Sequence, residues 1–135
     1  MSFKTAFEVA KKFYFLEWRG FEVSSPAFNG QVVHITRAGW NHITSHPRRP
    51  RAEVLQRLAL FPFARQLIEK SVFVQDRRVF DHMEFWAFQG INEMGIPVRV
   101  VVRSIKGGPK HFFSVFLAVT KGHHRRYDFD ESFKK

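Results

Sequence analysis

The sequence predicts an α+β protein in which helices come first and an antiparallel sheet follows. Apolar residues recur at three- and four-residue spacing in the first half of the chain, which is the period of an amphipathic helix. Residues 96–105 and 111–120 are instead β-rich, and the turn signal GGP at 107–109 separates them. The chain has 135 residues, the usual size of one domain. We therefore expect a single domain over residues 1–135, with an N-terminal helix over 1–20, a core over about 31–120 and a polar tail over 121–135.

The first half predicts three helical segments and one strand. Gly20 ends the first helix, whose apolar stripe comprises Phe3, Ala6, Phe7, Ala10, Phe13 and Tyr14. Residues 31–36 (QVVHIT) predict a strand, and Thr36 can cap a short helix over 37–45 that ends before Pro47. A further helix begins near Pro50, and Pro62 is expected to kink or split it before it resumes over 63–70.

The second half predicts strands. Residues 71–74 and 85–88 are expected to be strands, with residues 76–78 (DRR) as a turn between them. The clearest strand covers residues 96–105 (IPVRVVVRSI), and residues 111–120 (HFFSVFLAVT) are expected to pair with it as a hairpin.

Charge gives the first indication of a partner. Lys and Arg number 22 against 12 Asp and Glu, so the formal net charge is +10. Such an excess attracts polyanions, of which nucleic acid is the commonest. The absence of cysteine excludes disulfides and thiolate zinc sites. We find neither a signal-peptide pattern nor an apolar run of about 18 residues, so we expect a cytoplasmic protein with no membrane partner.

His42 and His46 are four residues apart, so both rings lie on one face of a helix. Two histidines at that spacing can bind zinc, but Ile43 stands where the metalloprotease motif has Glu. No second ligand cluster is evident, and we therefore expect neither a metal nor another cofactor. The alternative is RNA cleavage, because histidine can deprotonate the 2′-hydroxyl and protonate the leaving oxygen. A helix-end histidine without a special role is the third interpretation.

Alternation along the strand places Arg99, Val101 and Arg103 on one face. The partner strand adds either Ser114 and Phe116 or Val115 and Leu117 to that face. Two arginines beside aromatic rings could bind a phosphate and a base, although an ordinary solvated sheet face has the same pattern. Other basic residues are expected to contact phosphates, namely Arg48, Arg49, Arg51, Lys110, Arg125 and Arg126.

Residues 32–120 resemble the phage- and toxin-associated nucleases grouped with barnase, EndoU, colicin E5/D and RelE, the BECR fold. The resemblance lies in the helix with HITSHP at 42–47, the helices over 52–71, and the apolar hairpin with Arg99 and Arg103. It implies two to three helices packed on one face of a four- to five-stranded antiparallel sheet. It also implies that His42 or His46 is the acid/base group, that Arg103, Arg99 or Lys110 stabilises charge, and that Ser114 or Thr120 orients the phosphate.

Three functions follow as expectations. The first is a metal-independent ribonuclease, toxin- or phage-associated, acting on RNA such as tRNA. The second is a non-catalytic RNA- or DNA-binding module that uses the same basic sheet face. The third is a protein-interaction domain whose partner is an acidic protein, such as an inhibitor or antitoxin.

Overall fold

The computed structural model describes residues 2–118 and confirms the α+β class. The described residues form four α-helices and a six-stranded sheet, more of each than the two to three helices and four to five strands expected. Thr120, Arg125 and Arg126, three of the predicted site residues, lie outside the described residues.

The helices agree well with the apolar pattern. Helix α1 (Phe3–Lys12) continues as a π-helical segment (Phe13–Trp18) and a 3₁₀ turn (Arg19–Phe21), which together end at the predicted position. Helices α2 (Arg37–Thr44), α3 (Arg51–Leu58) and α4 (Phe61–Lys70) follow. Pro62 lies in the first turn of α4, where its missing N–H is tolerated, so the predicted helix is split rather than kinked.

The six strands are β1 (Ser24–Ser25), β2 (Gln31–His34), β3 (Asp76–Phe80), β4 (Met83–Ile91), β5 (Pro97–Ile105) and β6 (Lys110–Leu117). Their order across the sheet is β1-β2-β6-β5-β4-β3. Every neighbouring pair is antiparallel except β2 and β6, which run parallel. That parallel pairing joins an early strand to the late hairpin and places His34 beside His111.

One sequence prediction is wrong. Residues 71–74 form no strand, and the predicted turn at 76–78 is the beginning of β3. The turn between β3 and β4 instead contains Asp81 in the left-handed region (φ 59°), which short polar side chains tolerate. Pairing along β4, including an ion pair between Arg77 and Glu84, outweighs the low strand propensity of the DRR segment.

Two apolar clusters lie on opposite faces of the sheet. The larger cluster joins the helices to Val98, Val100 and Val102, with aromatic contacts such as Trp18 to Phe112 (ring centroids 4.8 Å apart). The smaller cluster comprises Phe85, Ala87, Val101, Phe113 and Phe116, all buried. Alternation along β5 therefore directs Arg99 and Arg103 to the side of the smaller cluster. None of the described helices is long and apolar enough to cross a membrane.

Candidate functional site

The register of β5 and β6 decides which residues share the face of Arg99 and Arg103. Phe116 lies opposite Arg99, and Ser114 lies opposite Val101. Of the two alternatives, Ser114 and Phe116 therefore share the face of Arg99, whereas Val115 and Leu117 do not. Beyond that point the register shifts, because Val102 pairs with Phe112 and leaves Phe113 as the extra residue of a bulge. The bulge directs the Phe113 ring toward the smaller cluster and toward Arg103.

Arg103 lies at one end of a row of three paired residues that crosses neighbouring strands of the sheet. His34 on β2 pairs with His111 on β6, and His111 pairs with Arg103 on β5. Arg103 Nε donates to His111 Nε2 at 3.1 Å, and Arg103 Cζ lies 4.2 Å from the centre of the Phe113 ring. No carboxylate among residues 2–118 lies within ion-pair distance of Arg103. The guanidinium is thus positioned by a neutral hydrogen-bond acceptor and an aromatic face.

His111 is neutral at neutral pH. Burial lowers the pKa of its imidazole to about 4, and the nearby charge of Arg103 contributes in the same direction. Burial also lowers the pKa of Arg103, although a guanidinium is so weak an acid that it remains cationic at neutral pH. The pair therefore presents one positive charge, on Arg103.

A cleft of about 260 Å³ opens beside Arg103. Its lining comprises Ala38, Asn41, His42, Ser45, His46, Arg103 and Phe113. His42 is 9% exposed, and its ring stacks on Phe113, with ring centroids 4.2 Å apart and planes 25° apart. His46 lies two residues beyond the end of α2 rather than on the predicted helix face. It is more exposed than His42, and its Nδ1 accepts the Arg48 backbone N–H at 3.3 Å. The structure therefore brings His42, His46 and Arg103 together at one cleft.

Other predicted site residues have different surroundings. Ser114 is completely buried, and its Oγ accepts a hydrogen bond from Arg57 Nη1 at 3.1 Å, so it faces a buried arginine rather than the cleft. Arg49 donates to the backbone carbonyls of His42 (2.7 Å) and Ile43 (3.0 Å), which stabilises the end of α2.

Lys110, Arg99 and the remaining linker arginines also lie away from the cleft. Lys110 Nζ lies 5.0 Å from the Phe28 ring and 4.9 Å from the Trp86 ring, both in the larger cluster, so it is on the opposite face of the sheet. Arg99 donates to Gln89 Oε1 at 2.9 Å. Arg48 and Arg51 are exposed, and Arg51 Cζ lies 5.0 Å from the Phe3 ring.

Sequence reasoning missed a second group of residues on the other side of His111. Glu22 Oε1 lies 3.2 Å from His34 Nδ1, and Glu22 Oε2 accepts the Ile35 backbone N–H at 2.8 Å. These residues line a depression of about 470 Å³ together with Arg19, Thr36, Ile105, Pro109 and His111. The alternation of QVVHIT could have marked His34 as a surface residue, but its neighbours depend on the parallel pairing of β2 with β6.

Within residues 2–118, no group of three or more His, Asp or Glu side chains is placed to hold a metal ion. In comparisons with known proteins, no family model, no curated protein and no solved structure matches this chain.

Proposed function

We propose that the protein is a metal-independent ribonuclease that binds the scissile phosphate of RNA at Arg103. One observation carries the proposal: a half-buried guanidinium without a carboxylate partner in the described residues lines an open cleft beside two histidines. A buried charge normally has a counter-charge, because its desolvation is otherwise costly. A phosphate oxygen in the cleft would provide that counter-charge.

The surroundings of Arg103 suit phosphate binding. His111 and Phe113 hold the guanidinium without neutralising it, so its Nη groups keep their charge for an anion. A donor fixed in this way stabilises the charge that develops on the phosphate in the transition state. The net charge of +10 would draw RNA to the surface before any specific contact forms.

One of the two cleft histidines transfers a proton. His46 is the more exposed of the two and exchanges a proton with the RNA, while His42, stacked on Phe113, forms the wall of the cleft. RNA carries its own nucleophile, so this chemistry needs no metal. The resemblance to BECR nucleases also suggests RNA cleavage, with the acid/base group in the segment that contains His42 and His46.

The test is incubation of the purified protein with tRNA and a defined RNA in EDTA. We expect the wild type and Lys70→Gln to cleave, since Lys70 is an exposed cation at the end of α4 and gives a matched loss of charge. Arg103→Gln and His46→Ala are expected to cleave at least 100-fold more slowly, the size of effect typical for such groups. RNA that is bound but never cut would contradict the proposal and favour a non-catalytic binding module. The absence of both binding and cleavage would favour an acidic protein partner.

A further inference from the structure

We propose that His34 is the second catalytic residue of this site, a general base that deprotonates the 2′-hydroxyl, and that Glu22 is its positioning residue. The inference rests on the proposed ribonuclease function and extends it to the depression on the other side of His111.

Geometry requires a proton-transfer group beyond those in the cleft. The attacking and leaving oxygens of a phosphoryl transfer lie roughly in line, on opposite sides of phosphorus. His42 lies on α2 and His46 lies just beyond its end, their ring centroids are 6.1 Å apart, and both line the same cleft. Together they serve one side of a phosphate bound to Arg103, so the other side needs a different group.

His34 occupies that other side. It shares a row with His111 and Arg103 on three neighbouring strands, so His34 and Arg103 are two strand spacings apart, about 10 Å between backbones. Arg103 directs its Nε to His111, which brings the guanidinium toward β2, and His111 lines the same depression as His34. The side chain of His34 is 45% exposed and therefore accessible to RNA.

The contact with Glu22 prepares His34 to act as a base. A carboxylate only accepts hydrogen bonds, so His34 Nδ1 carries the proton and Nε2 keeps its lone pair. The same carboxylate stabilises the imidazolium that forms when Nε2 takes up a proton. The Ile35 backbone N–H holds the second oxygen of Glu22, which fixes the orientation of the dyad.

The reaction balances without any added reagent. His34 Nε2 takes the proton of the 2′-hydroxyl, and the O2′–P bond forms as the P–O5′ bond breaks. Protonated His46 gives its proton to the departing O5′. The products are a 2′,3′-cyclic phosphate and a 5′-hydroxyl.

The experiment compares two substrates that differ only in the leaving group. One is a dinucleoside phosphate, and the other is a nucleoside 3′-(4-nitrophenyl phosphate), whose nitrophenolate departs without protonation. His34→Gln is expected to lose about 100-fold or more in kcat/KM on both substrates. His46→Ala is expected to lose a similar factor on the dinucleoside phosphate and much less on the nitrophenyl ester. His82→Gln, at the exposed turn between β3 and β4, is the matched control and keeps wild-type rates.

A split between kcat and KM separates positioning by Glu22 from a purely structural role. Glu22→Gln keeps an acceptor for the His34 N–H but removes the charge beside the imidazolium, so kcat should fall about 10-fold with KM little changed. Wild-type rates in a folded His34→Gln protein, verified by circular dichroism, would overturn the role of His34 while leaving the ribonuclease function standing. Failure of the wild type to cut either substrate would overturn both.

Discussion

Arg103 and His111 occupy paired positions on β5 and β6, and the Arg103 Nε–H group donates to His111 Nε2 at 3.1 Å. Because a guanidinium can only donate, Nε2 of His111 must be unprotonated in this contact. Protonation of His111 would break the hydrogen bond and place two cations side by side in a partly buried site. The fold therefore keeps a single charge here, and that charge belongs to the residue that lines the cleft.

This contact predicts that stability falls under mild acid. The unfolded His111 ring titrates near its ordinary pKa of 6.5, whereas the folded ring titrates at about 4. The contribution of the neutral ring to the free energy of unfolding is complete above pH 6.5. It is lost as the pH falls from 6.5 toward 4, because only the unfolded chain takes up the proton in that range. We expect a loss of roughly 2 kcal/mol over this range, a value that allows for solvent screening at a partly exposed ring.

Urea unfolding at pH 7 and pH 4.5 measures that loss. His111→Gln keeps an acceptor for Arg103 but has no titrating group, so its free energy of unfolding should fall less than that of the wild type between the two pH values. Equal losses in both proteins would show that His111 titrates normally in the folded state.

Arg103→Lys tests whether charge alone is sufficient at the cleft. Lysine keeps the positive charge but lacks the planar fork that binds two phosphate oxygens, and it cannot reproduce the stacking of the guanidinium on Phe113. We expect RNA affinity in filter binding to fall about 10-fold, with the salt dependence nearly unchanged. The RNA affinity of Arg103→Gln should fall further. The slope of its logarithm against the logarithm of salt concentration should also decrease by about one, which corresponds to the loss of one phosphate contact. Equal affinity of the lysine variant and the wild type would show that only the charge matters.

The local sequence pattern predicted the helices well, because the apolar spacing that forms a helix and the proline that begins or ends one act over only a few residues. It also placed Arg99 and Arg103 on one face, because alternation along a strand is a property of the strand itself. The prediction of a turn at the DRR segment was wrong, because this segment forms a strand through its pairing with β4, and that pairing outweighs local propensity.

The candidate site was predictable only in part. The four-residue spacing predicted that His42 and His46 lie close together, which holds although His46 lies beyond the end of α2, and the structure adds Arg103 to them. The contacts between Arg103 and His111, and between Glu22 and His34, depend on which strands pair in the sheet. No spacing in the sequence indicates that β2 runs parallel to β6, so those contacts could not have been predicted.

Ser114→Ala should leave RNA cleavage unchanged. Ser114 is fully buried and accepts a hydrogen bond from Arg57, which also pairs with Glu53 and lies with its Cζ 5.3 Å from the Phe116 ring. Removal of the hydroxyl is expected to cost about 1 kcal/mol of unfolding free energy, the usual value for one internal hydrogen bond. The measurement is urea unfolding beside a cleavage assay of the same preparation. A large loss of cleavage with unchanged stability would instead favour the phosphate-orienting role suggested by the BECR resemblance.

Gly39→Ala tests the close approach of α2 to the sheet. A Cβ atom at Gly39 would lie 2.6 Å from the backbone oxygen of Phe112 and 2.7 Å from the hydroxyl of Tyr14, which donates to the Thr36 carbonyl. Neither neighbour can yield without moving β6 or losing that hydrogen bond, so we expect destabilisation of about 3 kcal/mol. Gly20→Ala is the matched control, because a Cβ atom there meets no atom within 4 Å. Thermal unfolding should show a markedly lower Tm for Gly39→Ala only, and similar Tm values for both variants would mean that α2 can move away from β6 at little cost.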